Sequence, residues 1–300
     1  MARIIVIGEG MLELSRNDET WNLGYGGDTL NTAIHLARLG NDVAFVSAIG
    51  SDPLSAELRQ KWSDEGLDLS FVPIHPSRSA GLYAISTDSC GERSFAYWRE
   101  NSAAREMFSL FNLTALKEAV CGADLFIFSL ISLAILPPKG REKLLLLAKQ
   151  VRAAGGTVAF DGNYRPRLWS SPKEAISNRN AAIKCADIGL PTLEDECLLS
   201  GQNSAEIITE HWTNLGCLET VVKLGAQGCR LPDGQIVPPP AKLNPIDTSG
   251  AGDAFNAGYL STRHKGASHF EAAIEGHKLA GWCVMRRGAI PQRDAPADIP

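Results

Sequence analysis

Short runs of β-branched and aromatic residues recur along this chain, and between them the apolar residues fall at helical spacing. Arg3–Ile7, Val43–Ala48, Leu125–Ser129, Thr157–Asp161, Asp187–Leu190 and Glu219–Leu224 are too short for helices and too uniformly apolar for a half-exposed sheet. They are expected as strands buried on both faces. After Gly27, the residues Leu30, Ala33, Ile34 and Ala37 share one helical face, and Gly40 stands where a C-terminal cap belongs. Asp52-Pro53 supplies a side-chain cap and a first-turn proline for a second helix, and Lys139–Ala153 and Gly252–Arg263 continue the pattern. Strand and helix in alternation require a mostly parallel sheet with helices on both faces.

Two stretches break that rhythm. Thr20–Tyr25 follows a polar segment and carries an exposed Trp21, and Leu82–Thr87 with Arg93–Arg99 alternates polar and apolar across Asp88-Ser89-Cys90-Gly91. Half-polar strands do not fit inside a doubly covered sheet, so a small β-lid from about 10–25 and 70–105 is expected over the open edge of the core. The chain of 300 residues shows no repeat and no linker, and residues 1–300 are expected as one domain.

Composition excludes several alternatives. The net charge is −5 with no basic run, which argues against nucleic acid as a partner. Seven cysteines (Cys90, Cys121, Cys185, Cys197, Cys217, Cys229, Cys283) are odd in number and never spaced as Cys-x-x-Cys, so reduced thiols are expected. Six histidines show no metal spacing. The first apolar run is too short for a signal peptide and no stretch could cross a membrane, so a cytoplasmic protein is expected.

Asp247-Thr248-Ser249-Gly250-Ala251-Gly252-Asp253-Ala254-Phe255 carries the chemistry. Gly250-Ala251-Gly252 allows close backbone approach, and the helix that follows aims its free amides at an anion. A carboxylate in that first turn would repel phosphate unless it had another task. Asp253 is expected to accept the proton of an attacking hydroxyl while the amides hold the transferred phosphoryl group. Taken alone, a Gly-x-Gly before a helix is more often a turn. The whole string, however, resembles the second signature of the PfkB (ribokinase-like) family of carbohydrate kinases. The companion motif is present as Gly26-Gly27-Asp28-Thr29-Leu30-Asn31-Thr32-Ala33, running to Leu39-Gly40 and Gly50-Ser51-Asp52. The double glycine lets a sugar lie against backbone, and Asn31 can donate to and accept from hydroxyls.

The resemblance covers essentially the whole chain. It implies a ribokinase-like three-layer α/β/α fold, ATP and Mg2+ as phosphoryl donor and counter-ion, and catalysis by Asp253 with Gly250, Ala251 and Gly252. Lys223-Leu224-Gly225-Ala226-Gln227-Gly228 resembles the family's nucleotide loop, where backbone and small residues line base and ribose, with Lys223, Gly225 and Gly228 against the nucleotide. Asp247 and Thr248 fall where relatives hold a monovalent cation such as K+. One departure stands out: where many relatives carry Asn-x-x-Glu for magnesium, this chain has Thr192 and Asp195.

Tyr97 and Arg99 lie two apart on the second lid strand, and Asp161-Gly162-Asn163-Tyr164-Arg165-Pro166-Arg167 follows a core strand. Arginines aimed at one pocket suggest an anionic substrate, since guanidinium pairs bidentately with carboxylate. The strings GGDTLN, YWRENSAAR and NYRPRLW resemble the branch of the family that phosphorylates the sugar acid 2-keto-3-deoxygluconate at its terminal hydroxyl. That branch implies Gly27, Asp28, Asn31, Tyr83, Tyr97, Arg99, Arg165 and Asp253 at the sugar, and Asn163, Arg165, Lys223, Gly225, Gly228, Gly250 and Gly252 at ATP. A neutral ketose such as fructose, or a nucleoside, is the nearest alternative substrate. A dinucleotide-binding oxidoreductase is a poor fit because Gly8-Glu9-Gly10-Met11-Leu12-Glu13 lacks the third glycine. A sensor that has lost catalysis is opposed by the intact Asp253. Exposed lid edges make a homodimer or higher homo-oligomer the expected assembly.

Overall fold

The computed structural model describes residues 3–17, 20–87 and 93–293. Among them the expected strands form a six-stranded, wholly parallel sheet in the order Glu219–Thr220, Ile188–Gly189, Thr157–Asp161, Leu125–Ser129, Arg3–Ile7, Asp42–Val46. Successive side chains of a strand point to opposite faces. Ile5, Ile7, Phe126, Phe128, Val158 and Phe160 therefore pack with Leu144 and Val151 of helix Pro138–Ala153 and with Trp212 of helix Ala205–Asn214. Ile4, Val6, Val43 and Phe45 pack on the other side against Leu30 and Ile34 of helix Asp28–Arg38, Trp62 of helix Pro53–Asp64, and Tyr259 of helix Ala251–His264. Each such side chain withdrawn from water contributes about 1.5–3 kcal/mol, so strands apolar on both faces are satisfied only between two helical layers. Asp52 caps its helix through the Ser55 amide at 2.9 Å, and Gly40 takes a positive φ of 82°.

Glu219–Leu224 divides where one strand was expected. Glu219–Thr220 extends the central sheet, while Val222–Lys223 turns to pair antiparallel with Cys229–Arg230. The segment after Gly8-Glu9-Gly10 is also not the helix an oxidoreductase would need. Met11–Asn17 is a strand, with Leu12 and Leu14 alternating against Glu13 and Ser15.

That strand is central to a second, four-stranded sheet in the order Thr20–Gly26, Met11–Asn17, Gly81–Thr87, Arg93–Trp98. Gly81–Thr87 and Arg93–Trp98 are antiparallel, with Tyr83 opposite Tyr97; the turn expected at 88–91 lies outside the described residues. Trp21 and Trp98 are 50% and 57% exposed. Among the described residues no helix is long and apolar enough to cross a membrane.

The position of a site follows from the strand order. After Arg3–Ile7 the chain starts the second sheet, lays Asp42–Val46 on one side of Arg3–Ile7, completes the second sheet, and returns to place Leu125–Ser129 on the other side. Ligands of open α/β sheets bind outside the carboxyl ends of the strands at such a reversal.

Candidate active site

The two glycine motifs meet there. Asn31 Nδ2 donates to Asp253 Oδ2 at 2.8 Å, and Thr32 Oγ1 donates to the Asp253 carbonyl at 3.3 Å and the Asp28 carbonyl at 3.2 Å. Helix Asp28–Arg38 thus presents its first turns to the first turn of Ala251–His264. Asn31 Oδ1 is buried and has no partner among the described residues. An amide with one end engaged and the other vacant in a buried place marks where a hydroxyl donor belongs.

Glycine is required on both sides of this contact. Gly27 has φ 154°, and a methyl group there would overlap the Glu9 carbonyl oxygen. Gly250 has φ 69°, and a methyl group would lie 2.6 Å from Ala289 Cβ, whereas one at Gly252 would meet only Lys223 Nζ, at 3.7 Å. The space above Gly252 is therefore open to an anion at the helix N-terminus.

Lys223 does not extend along the nucleotide loop. Its Nζ donates to Asp161 Oδ1 and Asn256 Oδ1, each at 3.0 Å, and Asn256 Nδ2 donates to Asp161 Oδ2 at 2.9 Å. Asp161 ends the central strand Thr157–Asp161, and Asn256 lies one turn beyond Asp253. Asn163 Nδ2 donates to Asp28 Oδ2 at 3.3 Å. Arg165 is half exposed, with Nη1 donating to the Tyr164 carbonyl at 2.7 Å and to Asp195 Oδ1 at 3.3 Å. Gly225 and Gly228, with φ 59° and 104°, form the loop between Val222–Lys223 and Cys229–Arg230.

The lid closes one side. Tyr83 and Tyr97 stack with centroids 6.0 Å apart, and the Tyr83 hydroxyl donates to Glu13 while crowding Gly26, where a methyl group would overlap it. Arg99 follows the strand Arg93–Trp98 and is buried rather than solvated, with its guanidinium paired to Glu9 just beyond the central strand Arg3–Ile7. Its Cζ lies 5.9 Å from the Tyr97 ring centroid, and Arg99 Nε and Glu9 Oε1 have no partner among the described residues.

Asp195 has its pKa raised by burial, opposed by Arg165. The adjacent Glu196 faces inward instead, bonded to Arg179 and to Trp212 Nε1 at 3.3 Å. Asp247 accepts the Ser249 amide at 2.7 Å and the Gly288 amide at 2.8 Å, bracing the segment ahead of the glycine turn. Thr248 is exposed. Among the described residues no group of three or more His, Cys, Asp or Glu side chains is placed to hold a metal ion.

Reading the motifs did not single out Asp161, Asn256 or Glu9 as separate functional groups. Asn256 could have been found, because it is three residues from Asp253 and shares its helix face. Asp161 is a charge ending an apolar strand. Glu9 has no local signal, since its partner is 90 residues away.

Burial first, and then the neighbouring Asp28 and Asp161, raise the Asp253 pKa to about 8 against the opposing Asn31 bond and Lys223. Asp28 is raised in the same sense by burial. A folded protein that holds this proton up to about pH 8, when the unfolded chain releases it near 4, loses stability as pH rises through that window. The melting temperature of the wild type relative to Asp253→Asn should therefore decline between about pH 5 and 8. A difference independent of pH would show that Asp253 is not held protonated.

Known proteins resemble this chain in sequence and in fold. A family model described as pfkB family carbohydrate kinase matches residues 1–296. The chain is 42% identical to a 2-dehydro-3-deoxygluconokinase of Escherichia coli K12 and 39% identical to that of Dickeya dadantii, over 98% of each chain in both cases. Among solved structures, aminoimidazole riboside kinase from Salmonella enterica, complexed with aminoimidazole riboside and an ATP analog, superimposes with a TM-score of 0.82. It is 27% identical, and the match covers 96% of this chain and 95% of that one.

Proposed function

This chain belongs to the pfkB family of carbohydrate kinases, and on that premise we propose that it transfers the γ-phosphoryl group of ATP to the terminal hydroxyl of 2-dehydro-3-deoxygluconate (2-keto-3-deoxygluconate). The observation that carries the reading is the Asn31–Asp253 bond, which joins two motifs 222 residues apart into one buried site. The sugar lies along Gly26-Gly27 beneath Tyr83 and Tyr97, one hydroxyl donating to the vacant Asn31 Oδ1. Asp253 takes the proton of the attacking hydroxyl, whose oxygen forms the new bond to the γ-phosphorus as the bond to the β-phosphate oxygen breaks. ADP leaves, and Asp253 returns its proton to solvent. The amides of the Gly250–Gly252 turn face the charge that develops on the phosphoryl oxygens.

ATP brings Mg2+ with it, and Asp28, Asp161 and Asp195, whose charges act on one another or on Asp253, would be the carboxylates to order its water shell. A monovalent cation such as K+ would meet Asp247 through its two carboxylate oxygens, each of which also accepts a backbone amide. Asn163 and Arg165 stand on the nucleotide side of Asp28, and Gly225 and Gly228 shape the loop for base and ribose. A second copy of the chain covers the lid, whose edge strand Arg93–Trp98 and exposed Trp21 and Trp98 invite pairing.

The 39–42% identity to 2-dehydro-3-deoxygluconokinases favours the sugar acid. A coupled ADP-release assay across sugar acids and neutral ketoses tests it: turnover on 2-dehydro-3-deoxygluconate should exceed that on fructose or nucleosides, and the reverse order overturns the assignment. Arg99→Ala should raise KM for the sugar acid by about 10²-fold with little change for ATP, the scale of a lost charge-assisted pair. Equal effects on both substrates would remove Arg99 from the sugar site. In the free enzyme, kcat/KM should rise with pH through about 8 and level off above it, because only ionised Asp253 accepts a proton.

A further inference from the structure

Lys223 opens the nucleotide loop, yet its side chain leaves that loop. The ammonium sits in a closed ring of bonds with Asp161 and Asn256, and the Lys223 and Asp161 side chains are only 10% and 8% exposed. An ammonium carries three protons. Two are used by Asp161 and Asn256. A methyl group on Gly252 would meet Nζ at 3.7 Å, ordinary contact distance, so the third proton has room toward the glycine turn. Lys223 thus stands at the mouth of the glycine turn, on the side where an anion would settle.

We infer that Lys223 is a catalytic residue that donates to the phosphoryl group in transit, with Asp161 and Asn256 as positioning residues that hold its ammonium at the Gly250–Gly252 turn. The inference rests on the reading of the chain as a kinase and is independent of which sugar it takes. Local charge favours it. Asp28, Asp161, Asp195 and Asp253 lie close enough to influence one another, and Lys223 acts on both Asp195 and Asp253. An anionic nucleotide entering among these carboxylates needs a cation that cannot swing away. A lysine fixed at two of its three donors meets that need without reorganising during the reaction. A purely structural ion pair would have no reason to lie against a glycine whose missing side chain opens the anion site.

The test separates ATP from ADP. Binding of each, with Mg2+ and without sugar, is measured by titration calorimetry, and kcat is measured with the best substrate of the panel. Lys223→Gln should lower kcat by about 10²–10³-fold, the range seen when one preorganised donor to a developing charge is removed. Its affinity for ATP should fall about tenfold, while that for ADP stays within about threefold, because ADP lacks the transferred group. Lys223→Gln leaves Asp161 buried without its cation and could fail to fold. The double variant Lys223→Gln with Asp161→Asn keeps the ring neutral and hydrogen-bonded and should melt near the wild type. Because Asp161 also serves the Mg2+ shell, the double variant is compared with Asp161→Asn alone, which keeps the lysine, and should be slower than it by about 10²-fold. If the double variant turns over within threefold of Asp161→Asn, or if ATP and ADP weaken equally in Lys223→Gln, the inference is overturned. Failure of the kinase reading would appear separately, as absence of ATP binding and turnover in the unmodified protein.

Discussion

Asp253→Asn should lower kcat by about 10²–10⁴-fold, the contribution of a positioned general base, while ATP binding is retained and the fold is no weaker. Asparagine is nearly isosteric with the protonated carboxyl that Asp253 carries in the free protein below about pH 8. It can still accept from Asn31 Nδ2, and it removes the repulsion from Asp28 and Asp161. Loss of turnover with an unchanged or higher melting temperature would therefore locate the defect in proton transfer. Residual kcat within tenfold of the wild type would remove Asp253 as the base. The pH profile gives an independent check, since the rise through about 8 should vanish in the variant.

Gly27→Ala should be among the most damaging single methyl groups at the site. The backbone there has φ 154°, and the added carbon would overlap a carbonyl oxygen, which cannot rotate away as a side chain could. Strain and overpacking together should cost about 2–4 kcal/mol, read as a lowered Tm. Relief requires moving either the start of helix Asp28–Arg38 or the segment that carries Glu9. The first displaces Asn31 from Asp253; the second disturbs the Glu9–Arg99 pair. KM for the sugar should accordingly rise far more than KM for ATP. An alanine variant with wild-type stability and sugar KM would show that the Gly27 contact has slack.

The core of the fold was legible because its signals are local. A run such as Ile4-Ile5-Val6-Ile7 is apolar at both strand periods, and only a sheet covered on both faces accommodates it. Helix starts were legible for the same reason: Asp52 and Gly27 lie beside the helices they begin. Met11–Asn17 was not, since a half-polar strand depends on partners that the run itself does not show. Thr20–Gly26 pairs along one edge and Gly81–Thr87, some 70 residues on, along the other. Glu219–Leu224 failed in the opposite way, because periodicity does not register that a strand leaves one sheet for another at Val221.

The site divides along the same line. From sequence alone came the chemistry: an anion-binding glycine turn, a carboxylate in the first turn of its helix, and an asparagine behind a double glycine, all residue types whose capabilities do not depend on neighbours. The tertiary structure decided which of these groups act on one another. It set Asn31 against Asp253, turned Lys223 from the loop toward Gly252, buried Arg99 on Glu9, and separated Asp195 in the site from Glu196 in the core. Those are contacts between distant segments, and the charge state of Asp253 follows from them, because burial and neighbouring carboxylates exist only once the chain has folded.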